Sequence, residues 1–241
     1  MRIWNKLTIE ECNEPLVPIP LVISRLTPHP YLSLGAPYGK NVDPWRLRVD
    51  VVRRLLLAED CLHQLNPRLS LAVFDAWRPR DVQKFMVDYV IEEQCKLKGI
   101  IQSDVTDRTD LDRIIEDVNN FWASPCSDPR TPPPHSTGAA VDLTLIGENG
   151  LPIDMGGEID HIGPVSAPDY YAEFSKLRNP YFNEYHSRRE LLRTVMEKVG
   201  FSQHPNEWWH FSFGDQLWAW KQNSINAIYG AVVEASKANI E

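Results

Sequence analysis

Residues 134–145 read Pro-His-Ser-Thr-Gly-Ala-Ala-Val-Asp-Leu-Thr-Leu, a loop that passes into an alternation of apolar and small or polar side chains. The alternation predicts a strand from Ala139 to Ile146. In that strand Ala140, Asp142 and Thr144 share one face, while Val141, Leu143 and Leu145 share the other and belong to a core. Asp142 then projects from a rigid strand into a cleft, beside an alanine small enough to leave room. His135 precedes the strand, and Gly138 permits the sharp turn that brings its imidazole back toward the carboxylate. A histidine and an aspartate so held suit a zinc ion. On spacing alone, a loop histidine and a capping aspartate is the competing reading.

Working outward, the upstream neighbour is a second alternating run, Leu69, Leu71 and Val73, which predicts a short strand ending at Asp75-Ala76-Trp77-Arg78. A helix starting after Pro44 precedes it, with Leu47, Val51, Leu55 and Leu62 near one face, and Asn66-Pro67 stops it. Pro79 fits the first position of another helix, whose stripe of Val82, Phe85, Met86, Tyr89 and Val90 ends before Gly99. A third helix is expected over Thr109–Asn119, with Thr109 and Asp112 forming a cap, and Ser124–Pro134 is too proline-rich for either regular element. Downstream, Ser187–Val199 reads as a helix closed by Gly200, Trp208–Phe213 as a strand, and Asp215 to about Ala235 as a last helix. These elements do not follow a strict βαβ rhythm. They predict an α+β fold, a small and mainly antiparallel sheet backed by helices, in one domain over 1–241, with the proline-rich residues 1–43 extended and wrapping the core.

The chain has 241 residues, 43% of them hydrophobic and 24% charged, enough to bury a large core. Its 25 basic and 33 acidic residues give a net charge of −8, which argues against nucleic acid and anionic membrane surfaces as partners. Pro18 and Pro20 break the apolar stretch Leu16–Ile23, so no signal-peptide core is expected, and no window approaches the roughly 18–20 apolar residues of a membrane span. A cytoplasmic protein is the expectation. Cys12, Cys61, Cys95 and Cys126 include no Cys-x-x-Cys pair and read as reduced structural thiols.

Two further segments carry unusual polar residues. In Pro205-Asn206-Glu207-Trp208-Trp209-His210-Phe211, two tryptophans between an acid and a histidine predict burial, so the polar groups need partners. A regular strand puts Glu207 and His210 on opposite faces; for both to serve one site the backbone must bulge, or Glu207 must stand on the loop that Pro205 and Asn206 introduce. A buried histidine bonded to backbone is the alternative. In Asp75-Ala76-Trp77-Arg78-Pro79 an arginine sits where a strand gives way to a helix, a common place for functional groups, though for any single arginine an exposed surface salt bridge is the default reading.

Taken together, His-x-x-Gly-x-Ala-x-Asp at 135–142, Glu-Trp-Trp-His at 207–210 preceded by Gly200-Phe201, and Asp-x-x-Arg-Pro at 75–79 resemble the zinc D-alanyl-D-alanine dipeptidases of the vancomycin-resistance type. That group of zinc D,D-peptidases shares its fold with the Hedgehog signalling domain. The resemblance runs from about Tyr31 to Gly214 and takes in Asp154-Met155-Gly156-Gly157 and Asp160. It implies one Zn2+ per chain held by His135, Asp142 and His210, with Glu207 as catalytic base and Arg78 as oxyanion stabiliser. It further implies that Asp160 and Tyr31 bind a small dipeptide substrate, cleaved without a serine or cysteine nucleophile. A D,D-carboxypeptidase acting on peptidoglycan stem peptides and a non-catalytic zinc-containing binding module are the neighbouring readings. The chain departs from the family at Pro133, where a serine usually stands two residues before the first histidine, and in a longer run between Asp160 and Tyr185.

Overall fold

The computed structural model describes residues 2–40, 42–101, 108–174 and 180–232. In chain order its elements are β1 (Thr8–Ile9), β2 (Leu16–Pro18), β3 (Ser24–Arg25), α1 (Pro30–Ser33), β4 (Arg46–Arg48), α2 (Val49–Leu65), β5 (Ser70–Asp75), α3 (Arg80–Leu97) and α4 (Thr109–Phe121). There follow β6 (Ala140–Ile146), α5 (Tyr170–Phe174), α6 (Pro180–Lys198), β7 (Ser202–Gln203), β8 (His210–Ser212), α7 (Gln216–Lys221) and β9 (Asn226–Ala227). Short 3-10 turns cover Ile3–Lys6, Pro134–Thr137 and Pro164–Ser166.

The alternating run around Asp142 forms the central strand β6 of a five-stranded sheet ordered β3-β5-β6-β8-β7. Only β3 runs parallel to its neighbour, so the α+β architecture with a mainly antiparallel sheet is the observed one. One face of β6, through Val141, Leu143 and Leu145, packs with Val51, Leu55 and Leu62 of α2 and Leu192, Val195 and Met196 of α6. The helices α3 and α4 build a second cluster from Val82, Met86, Leu111, Ile114, Val118 and Trp122, joined by Tyr31. The site lies between this cluster and the polar face of the sheet.

Register decides what that face presents. Asp142 is paired with His210 on β8 and with Asp75 on β5. The second pairing needs a β-bulge between Val73 and Asp75, which inserts Phe74 as an extra residue. Without the bulge Asp75 would share the core-facing side of Leu71 and Val73.

Several boundaries differ from the expected ones. Arg46–Arg48 is a strand paired with β2 rather than the start of a helix, because the Arg48 side chain is drawn inward to the backbone oxygens of Thr137 and Gly230 and to Glu11. Pro79 is the cap of α3 and not its first residue, its ψ of 152° being extended. Arg108, with no side-chain cap bond, stands where Thr109 and Asp112 were expected to cap α4. The helix over 187–199 starts seven residues earlier, at Pro180. Regular pairing in the tryptophan segment is confined to His210–Ser212. The last helix ends at Lys221: Asn223 takes a left-handed φ of 52°, and Asn226–Ala227 then pairs with β1. Residues 233–235 of that expected helix lie outside the described residues. None of the four cysteines forms a disulfide, and among the described residues no helix is long and apolar enough to cross a membrane.

Leu143 is fully buried at the sheet centre, whereas Leu151 is 62% exposed. Leu143→Ala is expected to lower the unfolding free energy by about 2–5 kcal/mol and Leu151→Ala by less than about 0.5 kcal/mol in urea denaturation. Equal losses would refute this placement of the core.

Candidate active site

His135 sits on the 3-10 turn Pro134–Thr137, which Gly138 closes at φ 71°, a left-handed conformation suited to glycine. A Cβ at Gly138 would stand 2.2 Å from the Leu16 side chain. His135 Nδ1 is 2.8 Å from the carbonyl oxygen of Ala76 and donates to it, which leaves the lone pair on Nε2. That Nε2 is 3.2 Å from Asp142 Oδ2 and 3.2 Å from His210 Nδ1. On the far side, His210 Nε2 lies 3.3 Å from Ser212 Oγ, whose hydroxyl donates to Asp215 Oδ2 at 2.8 Å. The two imidazoles therefore turn different nitrogens inward. With Asp142 they form a buried group whose three ligand atoms lie within 4.8 Å of one another. Asp142 Oδ1, 3.0 Å from His210 Nδ1, accepts no well-formed hydrogen bond although it is buried. Burial alone would raise the Asp142 carboxyl, but His135 and His210 overrule it and hold it well below the usual carboxylate range. Two imidazoles with free lone pairs and an ionised carboxylate with an unpartnered oxygen make a set of donors fit for a divalent cation.

Glu207 stands on the turn before β8, which resolves the parity conflict of a continuous strand. The turn is fixed by backbone bonds of Trp208 N to Ser166 O at 2.9 Å and Leu143 N to Trp209 O at 3.1 Å. Glu207 Oε2 is thereby 3.5 Å from His210 Nδ1, while Oε1 has no hydrogen-bond partner. Burial first, then the charge of Asp142, pushes its carboxyl up to about 8.

Arg78 is buried and heavily bonded. Its Nε and Nη2 donate to Asp75 Oδ2 at 3.0 and 2.8 Å, Nη1 donates to Gln83 Oε1 at 2.8 Å, and Nη2 reaches the Tyr31 hydroxyl at 3.1 Å. Nη2 also lies 3.4 Å from Asp142 Oδ2. Tyr31, on α1, donates its hydroxyl to Asp160 Oδ2 at 2.8 Å. Asp160 has a left-handed φ of 66°, uncommon for a residue other than glycine, and burial with the Asp142 charge pushes its carboxyl up to about 8. Asp160, Arg78 and Glu207 line one cleft together with the three candidate ligands. Tyr31 borders it through Asp160 and Arg78, so all seven residues singled out in the sequence meet at one place.

Sequence reasoning missed the group behind them. Asp75, fully buried, receives Arg78 and Tyr38 and lies 3.3 Å from His29 Nε2 and 3.2 Å from His135 Nδ1. Burial would raise its carboxyl; Arg78 and His29 hold it lower. It stood in the quoted motif, but strand parity pointed it into the core. Arg189 was also missed: buried on α6, it donates to the carbonyl oxygens of Met155, Val165 and Ala167 and clamps both ends of the loop carrying Asp160. The longer segment after Asp160 belongs to the same clamp. Tyr171 donates to Gly156 O, Tyr185 donates to Asp154 Oδ2 at 2.9 Å, and a Cβ at Gly156 would run into both rings.

Comparison with known proteins places the chain among described relatives. The profile of the peptidase family described as D-ala-D-ala dipeptidase matches residues 43–229. A D-alanyl-D-alanine dipeptidase of Synechocystis sp. is 46% identical over 236 residues, covering 94% of this chain and 95% of its own length. One from Enterococcus faecium is 27% identical and covers 74% of this chain and 80% of its own. Among solved structures, the vancomycin-resistance D,D-pentapeptidase VanY in complex with Zn(II) aligns at a TM-score of 0.46 and 15% identity, covering 92% of this chain and 96% of that one.

The raised carboxyls of Glu207 and Asp160 imply a pH dependence for the metal-free chain. Each binds a proton in the folded state that it has lost in the unfolded state between about pH 4 and 8. Stability therefore falls as pH rises through that window. His204, whose buried imidazole is held well below its ordinary value, opposes the trend only up to about 6.5. With a chelator present, the urea midpoint is expected to drop between pH 6.5 and 8, and Glu207→Gln to flatten the drop; a flat wild-type profile would contradict it.

Proposed function

The chain belongs to the D-Ala-D-Ala dipeptidase family of metallopeptidases, and from that membership we propose that His135, Asp142 and His210 hold one Zn2+ and that the site hydrolyses D-alanyl-D-alanine or a closely related dipeptide. The observation that carries this reading is the convergence of two oriented imidazoles on the Asp142 carboxylate, His135 beside Oδ2 and His210 beside the unpartnered Oδ1, with Glu207 alongside. Three protein ligands leave a position open, the pattern of catalytic rather than structural zinc. The cation supplies Lewis acidity toward the scissile carbonyl and the attacking water.

The remaining steps belong to side chains. Glu207 takes the proton of the attacking water and returns it to the leaving amine; burial has brought its carboxyl near neutrality, where such a group serves both directions. Arg78 cannot lose its charge, and Asp75 and Gln83 fix its plane at the wall of the cleft, where the guanidinium stabilises the developing oxyanion. A donor placed this way contributes on the order of 3 kcal/mol to the transition state. Asp160, oriented by Tyr31, receives the substrate ammonium. Pro133 removes the hydroxyl that the family usually places there, so recognition of the free amine rests on Asp160 and its clamp.

Glu207→Ala is expected to retain zinc by metal analysis while turnover of D-Ala-D-Ala falls by about 10²–10⁴-fold, and His135→Ala to lose the metal and the activity together. N-acetylation of the dipeptide should reduce kcat/KM. Undiminished hydrolysis in the Glu207 variant would remove it as base, and faster cleavage of the acylated compound would replace the dipeptidase reading with a carboxypeptidase one.

A further inference from the structure

Arg2 enters the same cleft from the N-terminal arm. It lines the cavity with Glu207, His204, Trp122 and Pro134. It does not dangle there. Its Nη2 donates to the carbonyl oxygen of Phe121 at 2.8 Å, and its guanidinium lies 5.6 Å from the centre of the Trp4 ring. Trp4 is in turn packed edge-on against His204 at 5.6 Å and against Trp220 at 5.4 Å. Gln216, at the start of α7, ties the arm down by donating to Leu7 O. Yet among the described residues Arg2 forms no ion pair. Burial lowers its proton affinity and the Glu207 charge restores part of it, so a cation has been drawn into a partly desolvated cleft with most of its donors uncommitted.

The polarity of the site says what those donors meet. Asp160, Tyr31 and Arg78 occupy one end, where a substrate ammonium and the scissile carbonyl are placed by the reading above. Glu207, which delivers the proton to the leaving amine, occupies the other. The residue that departs on the Glu207 side of a dipeptide carries a free α-carboxylate. We propose that Arg2 is a specificity residue that binds this α-carboxylate, so that Asp160 and Arg2 grip the two charged ends of the dipeptide. This inference rests on the dipeptidase reading. It gives selectivity toward a free carboxyl terminus to a residue outside the motifs at 75–79, 135–142 and 207–210, because planar guanidinium donors match a carboxylate in paired geometry.

The test compares D-Ala-D-Ala with its C-terminal amide in the wild type, Arg2→Ala and Arg2→Lys, all zinc-loaded. Arg2→Ala is expected to raise KM for the free acid by about 10- to 100-fold and to leave the amide within about twofold, with Arg2→Lys between. Calorimetric binding of the uncleaved acid and amide to Glu207→Ala, with and without the Arg2 substitution, should show the same selective loss. A general weakening of the arm, or a purely electrostatic effect on Glu207, would lower acid and amide alike and overturn the assignment, as would an unchanged KM for the acid. A wild type that hydrolyses neither compound would instead fell the dipeptidase reading and this inference with it.

Discussion

The structure depends on a row of ionisable side chains laid in register across three strands, Asp75 on β5, Asp142 on β6 and His210 on β8. All three are buried, and a buried carboxylate is costly unless paired and hydrogen-bonded. The molecule meets that cost locally. Asp75 is satisfied by Arg78, Tyr38 and His29, and the outer histidine by Ser212 and Asp215, whereas Asp142 keeps Oδ1 without a hydrogen bond between His135 and His210. Side chains around the row then take their orientation from it or from one another. His135 is held from behind by Ala76 O and Asp75, Arg78 is held flat by Asp75 and Gln83, and Tyr31 is held between Arg78 and Asp160.

Much of this was legible in the chain because β6 obeys a period of two without interruption. Once Val141, Leu143 and Leu145 are assigned to the core, Asp142 has one direction left, and the α+β architecture follows from the neighbouring runs. The convergence of His135, His210, Glu207, Arg78, Asp160 and Tyr31 was accessible only through the resemblance, since no spacing rule joins segments so widely separated along the chain. Asp75 shows what periodicity cannot supply. Its parity with Leu71 and Val73 points it to the core, and the one-residue bulge at Phe74 reverses that. A bulge leaves no mark in a single sequence. The same limit applies to the end of α7, where left-handed Asn223 stops a helix that its composition would allow to continue.

The segment after Asp160 illustrates how tertiary structure changes the meaning of an insertion. As sequence, it stood out only as a run between Asp160 and Tyr185 longer than the family's. In the fold Tyr171 and Tyr185 grip the loop at Asp154 and Gly156, while Arg189 gathers three carbonyl oxygens from the two sides of Asp160. Buried arginines seldom sit without a carboxylate. Here burial lowers the guanidinium to about 10 and the aromatic faces of Tyr171 and Trp208 replace the missing anion. The result is a rigid support for Asp160, which keeps a left-handed backbone because the loop ends cannot move.

The net charge of −8 excludes partners more readily than it identifies one; the local balance is more informative. The cleft and the buried group behind it hold four carboxylates, Asp142, Asp160 and Glu207 on its wall and Asp75 behind, against two guanidiniums, Arg78 and Arg2. Without a cation the site carries an excess of negative charge, and the chain relieves it by holding Asp160 and Glu207 near neutrality. A divalent ion at the His135–Asp142–His210 group removes the excess and leaves the cleft neutral but strongly polarised, with Asp160 at one end and Arg2 at the other. A cleft of that kind favours a ligand that is itself neutral and polarised along its length. A dipeptide with free termini has that distribution, whereas a longer acidic or basic peptide would leave one of the buried ends without a partner, at the cost of an unpaired charge.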